Sequence, residues 1–134
     1  MSFNTNNEGC DTLYLKHSVL YHATVASSKG VITCGGLNGG FWASKCLLLD
    51  SNGQTSFPSM TGRRSNFGMV NIKGIIYAIG GDPSYDTMET INIETGDQWQ
   101  KESLPFKVDE HCVVNINTTI ILIGGRNRQN LDVS

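Results

Sequence analysis

The sequence lacks any hydrophobic run that approaches the roughly 18 to 20 residues needed by a membrane-spanning helix. Its first ten residues, MSFNTNNEGC, are polar and have no basic segment followed by an apolar one, so no secretory signal peptide is predicted. The four cysteines form no CxxC pair, and we interpret them as reduced thiols. These absences predict an intracellular, cytoplasmic protein. The cysteines are Cys10, Cys34, Cys46 and Cys112.

Charge is scarce and nearly balanced, with 10 Lys and Arg residues against 12 Asp and Glu residues and a formal net charge of −2. No run of Lys or Arg supplies the basic surface that nucleic acid binding requires, so we expect neither a nucleic acid nor a membrane partner. The three histidines are far apart and show neither HxH nor HExxH spacing. Cys112 follows His111 directly, but successive strand residues point to opposite faces and so do not form a nucleophile and base. We therefore expect no catalytic residue, no metal and no cofactor, and we predict that the protein is not an enzyme.

What the sequence contains instead is a glycine pair repeated three times, each time after a short apolar segment: VITCGG, IIYAIGG and IILIGG. The pairs are 45 and then 44 residues apart, and a fixed period of this length indicates a repeat architecture. Other positions fall into the same register. They are Leu15, Met60 and Leu104; His22, Phe67 and His111; Val25, Val70 and Val114; and Ile32, Tyr77 and Ile121. The pairs themselves are Gly35-Gly36, Gly80-Gly81 and Gly124-Gly125.

Each unit predicts four short antiparallel strands in about 45 residues, and no segment has helical periodicity. The first strand is HATVA, FGMVNI or HCVVNI, and the second ends at the glycine pair. Third strands are expected at 45–50 and 88–93, and fourth strands around 55–57 and 98–102. The predicted organisation is a polar segment with one strand of an incomplete blade at 1–18, the strand lying near 12–16, then units at 19–57 and 62–102, and an incomplete unit at 107–134. This pattern is typical of the blades of an all-β propeller.

The glycine pair has a structural interpretation. A residue without Cβ adopts positive φ at the sharp corner after the second strand, and it lets a neighbouring backbone approach closely. A phosphate-binding loop would need GxxxxGK[ST] followed by a helix, whereas GGLNGG at 35–40 has neither the Lys nor the helix.

These units resemble the kelch repeat. The resemblance rests mainly on Tyr77 ahead of Gly80-Gly81, the strand ending IETG at 93–96, Trp99 and Leu104-Pro105. The preceding unit has Thr55 at the Trp position, and the last has Ile121 at the Tyr position. The resemblance implies a partial kelch-type β-propeller with antiparallel four-stranded blades, in which Tyr77 and Trp99 bury their rings between adjacent blades. On the same interpretation, the position shared by His22, Phe67 and His111 serves packing.

The resemblance also implies a non-catalytic protein–protein interaction module that binds a protein or peptide on its loops. Aromatic residues and arginines, which interface hot spots favour, occur in the predicted loops that follow the glycine pairs or join the units. The alternative is structural: a loop Trp folds back over its own blade, and loop arginines are only solvated. The candidate partner-binding residues are Phe41, Trp42, Arg63, Arg64, Asp82, Tyr85, Arg126 and Arg128.

The number of units leaves the assembly open. A closed propeller needs at least four blades, and this sequence supplies two complete units and parts of others. We expect the chain to be a fragment of a longer kelch protein, in which case it serves substrate recognition in a ubiquitin-ligase adaptor, although no BTB domain is present in these residues. The alternatives are that two copies close one ring as a homodimer, or that the open arc stacks on further kelch blades of another protein. An oxidase-like propeller fragment is the enzymatic alternative, but the Tyr, His and Cys ligands of such enzymes have no visible counterpart.

Overall fold

The computed structural model describes the backbone of residues 2–3, 10–11, 22–38 and 41–127, with side chains over 22–37 and 43–126. This part of the chain is all-β, as predicted: every strand pairing is antiparallel and no helix is present. None of its elements is therefore a helix long and apolar enough to span a membrane. The strands are β1 (Ser2–Phe3), β2 (Cys10–Asp11), β3 (Ala23–Ser27), β4 (Gly30–Cys34), β5 (Leu37–Asn38), β6 (Phe41–Trp42), β7 (Cys46–Asp50), β8 (Gly53–Phe57), β9 (Gly68–Ile72), β10 (Ile75–Ile79), β11 (Thr87–Asn92), β12 (Gln100–Ser103), β13 (Val108–Asp109), β14 (Cys112–Ile116), β15 (Thr119–Ile123) and β16 (Arg126–Asn127).

Two four-stranded sheets form the body of the fold. The first has the order β3-β4-β7-β8 and the second the order β9-β10-β11-β12, so each sheet is a meander in which strands adjacent in space follow one another along the chain. Both sheets begin with the strand pair that ends at a glycine pair, which is why the same register positions recur in both. The third repeat contributes the hairpin β14–β15.

The sheets are stacked through their first strands: β3 contacts β9, and β9 in turn contacts β14. The second sheet therefore lies between the first sheet and the hairpin.

The main core lies between the first and second sheets. Alternate residues of β3 and β4, such as Ala23 and Ile32, face alternate residues of β9 and β10, such as Met69 and Ile76. Period-two alternation puts these apolar side chains on one face of each sheet, and burying them is the main stabilising contribution of the layer.

Trp99 is buried in this core, as the sequence predicts. Its ring lies edge-on to Phe57 at a centroid distance of 6.5 Å, and its indole N–H donates to the carbonyl of Pro58 (2.7 Å). Because the indole N–H has a partner, the large ring is buried without the cost of an unsatisfied donor. Tyr77 differs from its prediction, since it is only half-buried.

The opposite face of the second sheet packs on the hairpin β14–β15. Val70, Ile72 and Ile79 are buried there, and Gly68 has no room for a Cβ because the side chain of Val113 occupies that space.

The prediction of four reduced cysteines is wrong for one pair. Cys34 and Cys46 are disulfide-bonded, and both are buried. The reason is tertiary: β4 and β7 pair with these two residues directly opposite, at a Cα–Cα distance of 4.1 Å. The two cysteines are 12 residues apart in the sequence, and this spacing alone gave no signal that they would lie opposite each other. Cys112 is a free, exposed cysteine.

Two segments differ from their predicted form. The loop predicted after the first glycine pair contains a short hairpin, β5–β6. Within the segment predicted at 1–18, β1 pairs with β2, while the strand expected at 12–16 lies outside the described residues.

Candidate functional site

The glycine pairs form nearly identical corners, with φ of 70° and 94° at Gly35 and Gly36 and of 65° and 89° at Gly80 and Gly81. At these two corners the second glycine donates its N–H to a carbonyl of the segment that leads into the next unit. Gly36 donates to Arg64 (2.6 Å), and Gly81 donates to Val108 (2.9 Å). Each corner is therefore joined to the segment that follows its sheet.

The close approach predicted for these corners is present. A Cβ built on Gly35 would lie 2.5 Å from the carbonyl oxygen of Arg64, and one built on Gly80 would lie 2.5 Å from that of Val108. Such distances exclude a side chain, so glycine is required here both by φ and by space.

These bonds bring the predicted loops together at one end of the sheets. Ser65 and Asp82 exchange both backbone hydrogen bonds (2.9 Å each), and the equivalent pair one repeat later, Asp109 and Arg126, is part of β13–β16. We call this end of the fold the loop face. It comprises the described residues of 35–44, 61–66, 80–86, 104–111 and 124–126.

Phe67 and His111 occupy equivalent positions beneath the loop face. The ring of Phe67 lies against Gly35 and its Cβ against Gly81, while His111 lies between Gly80 and Gly125. Both are buried, in keeping with the packing role inferred from their shared register. His22, the third member of that register, is exposed instead.

His111 places two polar nitrogens at a buried position where the equivalent residue, Phe67, has an apolar ring. Neither Nδ1 nor Nε2 completes a hydrogen bond among the described residues. Burial lowers the pKa of His111, although the backbone at Ile79 and Asp109 and the charge of Asp109 oppose this effect. The imidazole is therefore held in its neutral form more strongly than in water.

The proposal from sequence that Arg64 binds a partner needs correction, because its side chain is completely buried. Its Nη2 and Nε donate to Oε2 of Glu89 (2.9 and 3.2 Å), and Nη1 donates to the carbonyls of Gly80 (2.9 Å) and Thr87 (2.8 Å). Arg64 thus ties the segment between the sheets to the second glycine corner and to β11. It has no donor turned toward solvent.

Glu89 completes this buried network. Its carboxylate accepts the backbone N–H groups of Thr61 (2.6 Å) and Gly62 (3.0 Å) in addition to the Arg64 guanidinium. Burial by itself would raise the pKa of Glu89, but the two N–H groups and Arg64 outweigh it and hold this pKa below its ordinary value. Burial also lowers the pKa of Arg64, against the stabilising charge and hydrogen bonds of Glu89.

The sequence interpretation missed Glu89 as a structural residue. Glu89 lies on β11 two residues before Ile91, a core residue, so both side chains point to the buried face of the strand. A carboxylate on that face needs partners for its charge. An acidic residue in phase with buried apolar residues was the available signal.

Arg63 and Tyr85, unlike Arg64, remain at the surface of the loop face. Arg63 is exposed, and its carbonyl accepts the hydroxyl of Ser84 (2.8 Å). Tyr85 is half-buried and donates its hydroxyl to Oδ1 of Asp82 (2.6 Å). The structure therefore brings together three of the residues predicted from the sequence, one of which, Asp82, serves partly to orient Tyr85.

Arg126 lies at the next repeat of the same face. Its Nη2 is 3.5 Å from Oδ2 of Asp109, which is buried, and 3.1 Å from Oε1 of Glu110, while the Arg126 side chain itself is 48% exposed. The arginine is therefore partly neutralised and still accessible.

Three of the predicted partner-binding residues are not fully included in the described part of the structure. Phe41 and Trp42 form strand β6, but their side chains are outside the described residues, and so is Arg128 entirely.

Two further features bear on chemistry. Over the described residues, no group of three His, Cys, Asp or Glu side chains is placed to hold a metal ion. An open groove of about 290 Å³ lies at the other end of the second sheet, between β10 and the turn after β11, and polar side chains such as Asn92 and Gln98 contribute to its lining.

Comparison of the sequence with protein-family models and with curated proteins gives no match. The candidate site is therefore defined by the geometry of the loop face alone.

Proposed function

We propose that this chain is part of a kelch-type β-propeller and binds a protein or peptide segment through the loop face. The propeller arrangement is supported by two successive four-stranded meanders that follow one sequence period and contact each other through their first strands. The equivalent corners, joined by equivalent hydrogen bonds to the following unit, support the same arrangement.

The observation that carries the binding proposal is the buried network of Arg64 and Glu89. It fixes the 61–64 segment against the glycine corner and the 84–87 turn, so the exposed Arg63 and the half-buried Tyr85 are held in a defined relative position. A binding surface whose loops are ordered in advance loses less conformational entropy when a partner binds. Arginine and tyrosine are also the residue types that dominate binding energy at interfaces.

The charge of the loop face indicates the kind of partner. Its exposed charged residues are of both signs, which favours an extended segment with mixed polarity, and Arg63 and Arg126 are suited to carboxylates in it. The exposed charged residues are Arg63, Asp86, Lys107, Glu110 and Arg126.

The experiment is a selection of 12-residue peptides, displayed on phage, against the immobilised 134-residue chain. We expect enriched peptides to contain Asp or Glu, and the affinity of a labelled enriched peptide is then measured by fluorescence polarisation. Arg63→Ala and Tyr85→Ala should each weaken binding about tenfold or more, because each removes a contact at the centre of the surface.

Lys73→Gln is the matched control, since it removes a positive charge from an exposed turn at the opposite end of the second sheet. It should leave the affinity unchanged. Failure to enrich any peptide, or binding that tolerates both loop-face substitutions, would contradict the proposal.

A further inference from the structure

One interface is used twice within this chain. In the first sheet, Val25 and Ile32 belong to the face that packs against Met69 and Ile76 of the second sheet. One repeat later, Val70 and Ile79 belong to the equivalent face of the second sheet, and it packs against Val113 of the hairpin. We call the face that packs on the following unit the leading face, and the face that receives the preceding unit the trailing face.

The leading face of the hairpin has the same register and the same residue types, but it is open. Val114 and Ile123 are 43% and 55% exposed, whereas their equivalents in the second sheet, Val70 and Ile79, are 4% and 2% exposed. Ile116 is 62% exposed, whereas its equivalent Ile72 is 8% exposed. Apolar side chains that are buried in one repeat are therefore exposed in the next.

The equivalent side chains differ in exposure because of what packs against them, since their residue types are the same. Cross-strand pairing puts Val114 opposite Ile121 and Cys112 opposite Ile123, so the exposed side chains form one continuous patch across the hairpin. Contiguous apolar patches of this kind usually mark an interaction surface.

The complementary face is present at the other end of the same molecule. The trailing face of the first sheet consists of Thr24, Ala26, Val31, Thr33, Leu47 and Leu49; all of these are exposed or half-buried except Thr33, which is buried. Its β3 and β4 positions are one repeat before Met69, Asn71, Ile76 and Ala78, the residues with which the second sheet receives the first.

We propose that two copies of this chain associate head to tail, with the leading face of the β14–β15 hairpin in one copy packed on the trailing face of the first sheet in the other. This contact is of the same type as the interfaces between successive units within one chain, because it joins a leading face to a trailing face. A head-to-tail contact of this type closes into a ring when the rotation allows it. This association goes beyond peptide binding and uses none of the loop-face side chains.

The test begins with the mass of the 134-residue chain, measured by sedimentation equilibrium. We expect the mass to rise from the 14.6 kDa of one chain to twice that value as the concentration increases. A single-chain mass at concentrations up to about 100 µM, where even a modest interface is populated, would overturn the proposal.

Two substitutions then address the two faces separately. Val114→Lys on the leading face and Ala26→Lys on the trailing face each place a charge where the partner copy would bury it, and both positions are exposed in the single chain. Each variant should fold normally, judged by circular dichroism, and should lose association at least tenfold. Gln98→Lys, an exposed loop position on neither face, is the control and should associate like the unmodified chain.

Mixing the two variants tests the head-to-tail geometry. A mixture of Val114→Lys and Ala26→Lys retains one intact leading face and one intact trailing face, so it should form a mixed dimer that neither variant forms alone. If the two leading faces instead paired with each other, Ala26→Lys would associate by itself and mixing would add nothing. That result, or association that survives Val114→Lys, would overturn the proposal.

Alkylation of Cys112 supplies a second measurement. Cys112 is exposed on the leading face, so it should react rapidly in dilute protein and become protected as association proceeds. Protection that is independent of concentration would mean that another part of the same chain covers the patch, and the proposal would fall. Arg63→Ala should change neither mass nor protection, which separates this inference from the proposed peptide binding.

Discussion

Gly80 and Gly124 show how one residue type at one register position meets different surroundings. Their φ values are 65° and 71°, so both corners have the same backbone conformation. A Cβ on Gly80 would lie 2.5 Å from the carbonyl oxygen of Val108, whereas a Cβ on Gly124 would have no described atom within 4 Å. The effect of the positive φ and the effect of the nearby backbone can therefore be measured separately by comparing these two glycines.

We expect Gly124→Ala to lower the free energy of unfolding by about 1 kcal/mol, the cost of a left-handed conformation for Ala. Gly80→Ala should lower it by about 3 kcal/mol or more, because the backbone of the next unit must also move. Urea unfolding of the two variants in dilute protein measures both losses. Equal losses would show that close approach contributes nothing at Gly80.

His111 predicts a pH dependence at the residue scale. Its pKa is lowered in the folded state, so the unfolded chain, with an ordinary His pKa of about 6.5, takes up a proton first. The contribution of His111 to stability is therefore constant above this value, and the free energy of unfolding falls as the pH drops below it, toward the lowered pKa of the folded state.

His111→Phe should abolish this loss between pH 7 and pH 5, since Phe67 already fills the equivalent position. It should also stabilise the protein by about 1 kcal/mol at pH 7, because two buried nitrogens without partners are removed. Urea unfolding across this pH range is the measurement. His22→Gln, at an exposed site, should retain the pH profile of the unmodified protein, and a His111→Phe profile identical to it would contradict the prediction.

At the scale of the element, the loop between the two sheets is held by a buried ion pair in addition to the apolar burial of Met60 and Phe67. Arg64 and Glu89 are both fully buried, and their polar atoms bond to each other and to the surrounding backbone. The net stability of such a pair relative to apolar residues is small, but removing one partner leaves a buried charge without compensation.

Arg64→Met is accordingly expected to lower the free energy of unfolding by about 3 to 5 kcal/mol. Arg63→Met, at the adjacent exposed position, should change it by no more than about 0.5 kcal/mol. The double variant Arg64→Met/Glu89→Leu should lose less than the sum of its single substitutions, which a double-mutant cycle by urea unfolding measures. Similar losses for Arg63→Met and Arg64→Met would contradict the network.

The strands themselves were largely predictable at this scale. The expected strand at 45–50 is observed at Cys46–Asp50, and the one at 88–93 is observed at Thr87–Asn92. Alternating apolar residues between turn residues specify such strands locally, because each residue's face follows from period two. The hairpin β5–β6 was not predicted, since its glycine-rich sequence has no alternation that distinguishes it from a loop.

At the scale of the whole molecule, the two four-stranded sheets and the hairpin β14–β15 of the described residues form a stack, with the first sheet and the hairpin as its outer members. The second sheet is covered on both faces, by the first sheet and by the hairpin. The leading face of the hairpin carries the same apolar residues as that of the second sheet, and this continuity is the basis for head-to-tail association.

The loop face also forms only at this scale. Arg63 and Tyr85 lie on segments that precede and follow the same two strands, and they come together because the corner of the second sheet is bonded to the segment before it. The sequence selected both residues by type and by loop position. It selected the neighbouring Arg64 on the same grounds, and only its burial distinguishes a structural arginine from an accessible one.

The sequence by itself determined the period, the antiparallel strands and the need for glycine at each corner, because these depend on local conformation and on the alternation of apolar residues. Tertiary structure alone decided which polar residues are buried, that Cys34 and Cys46 are bonded, and that Val114 and Ile123 are exposed while Val70 and Ile79 are covered. The physical reason is that burial depends on what packs against a face, and equivalent positions in a repeat have the same local pattern whether or not a neighbour is present.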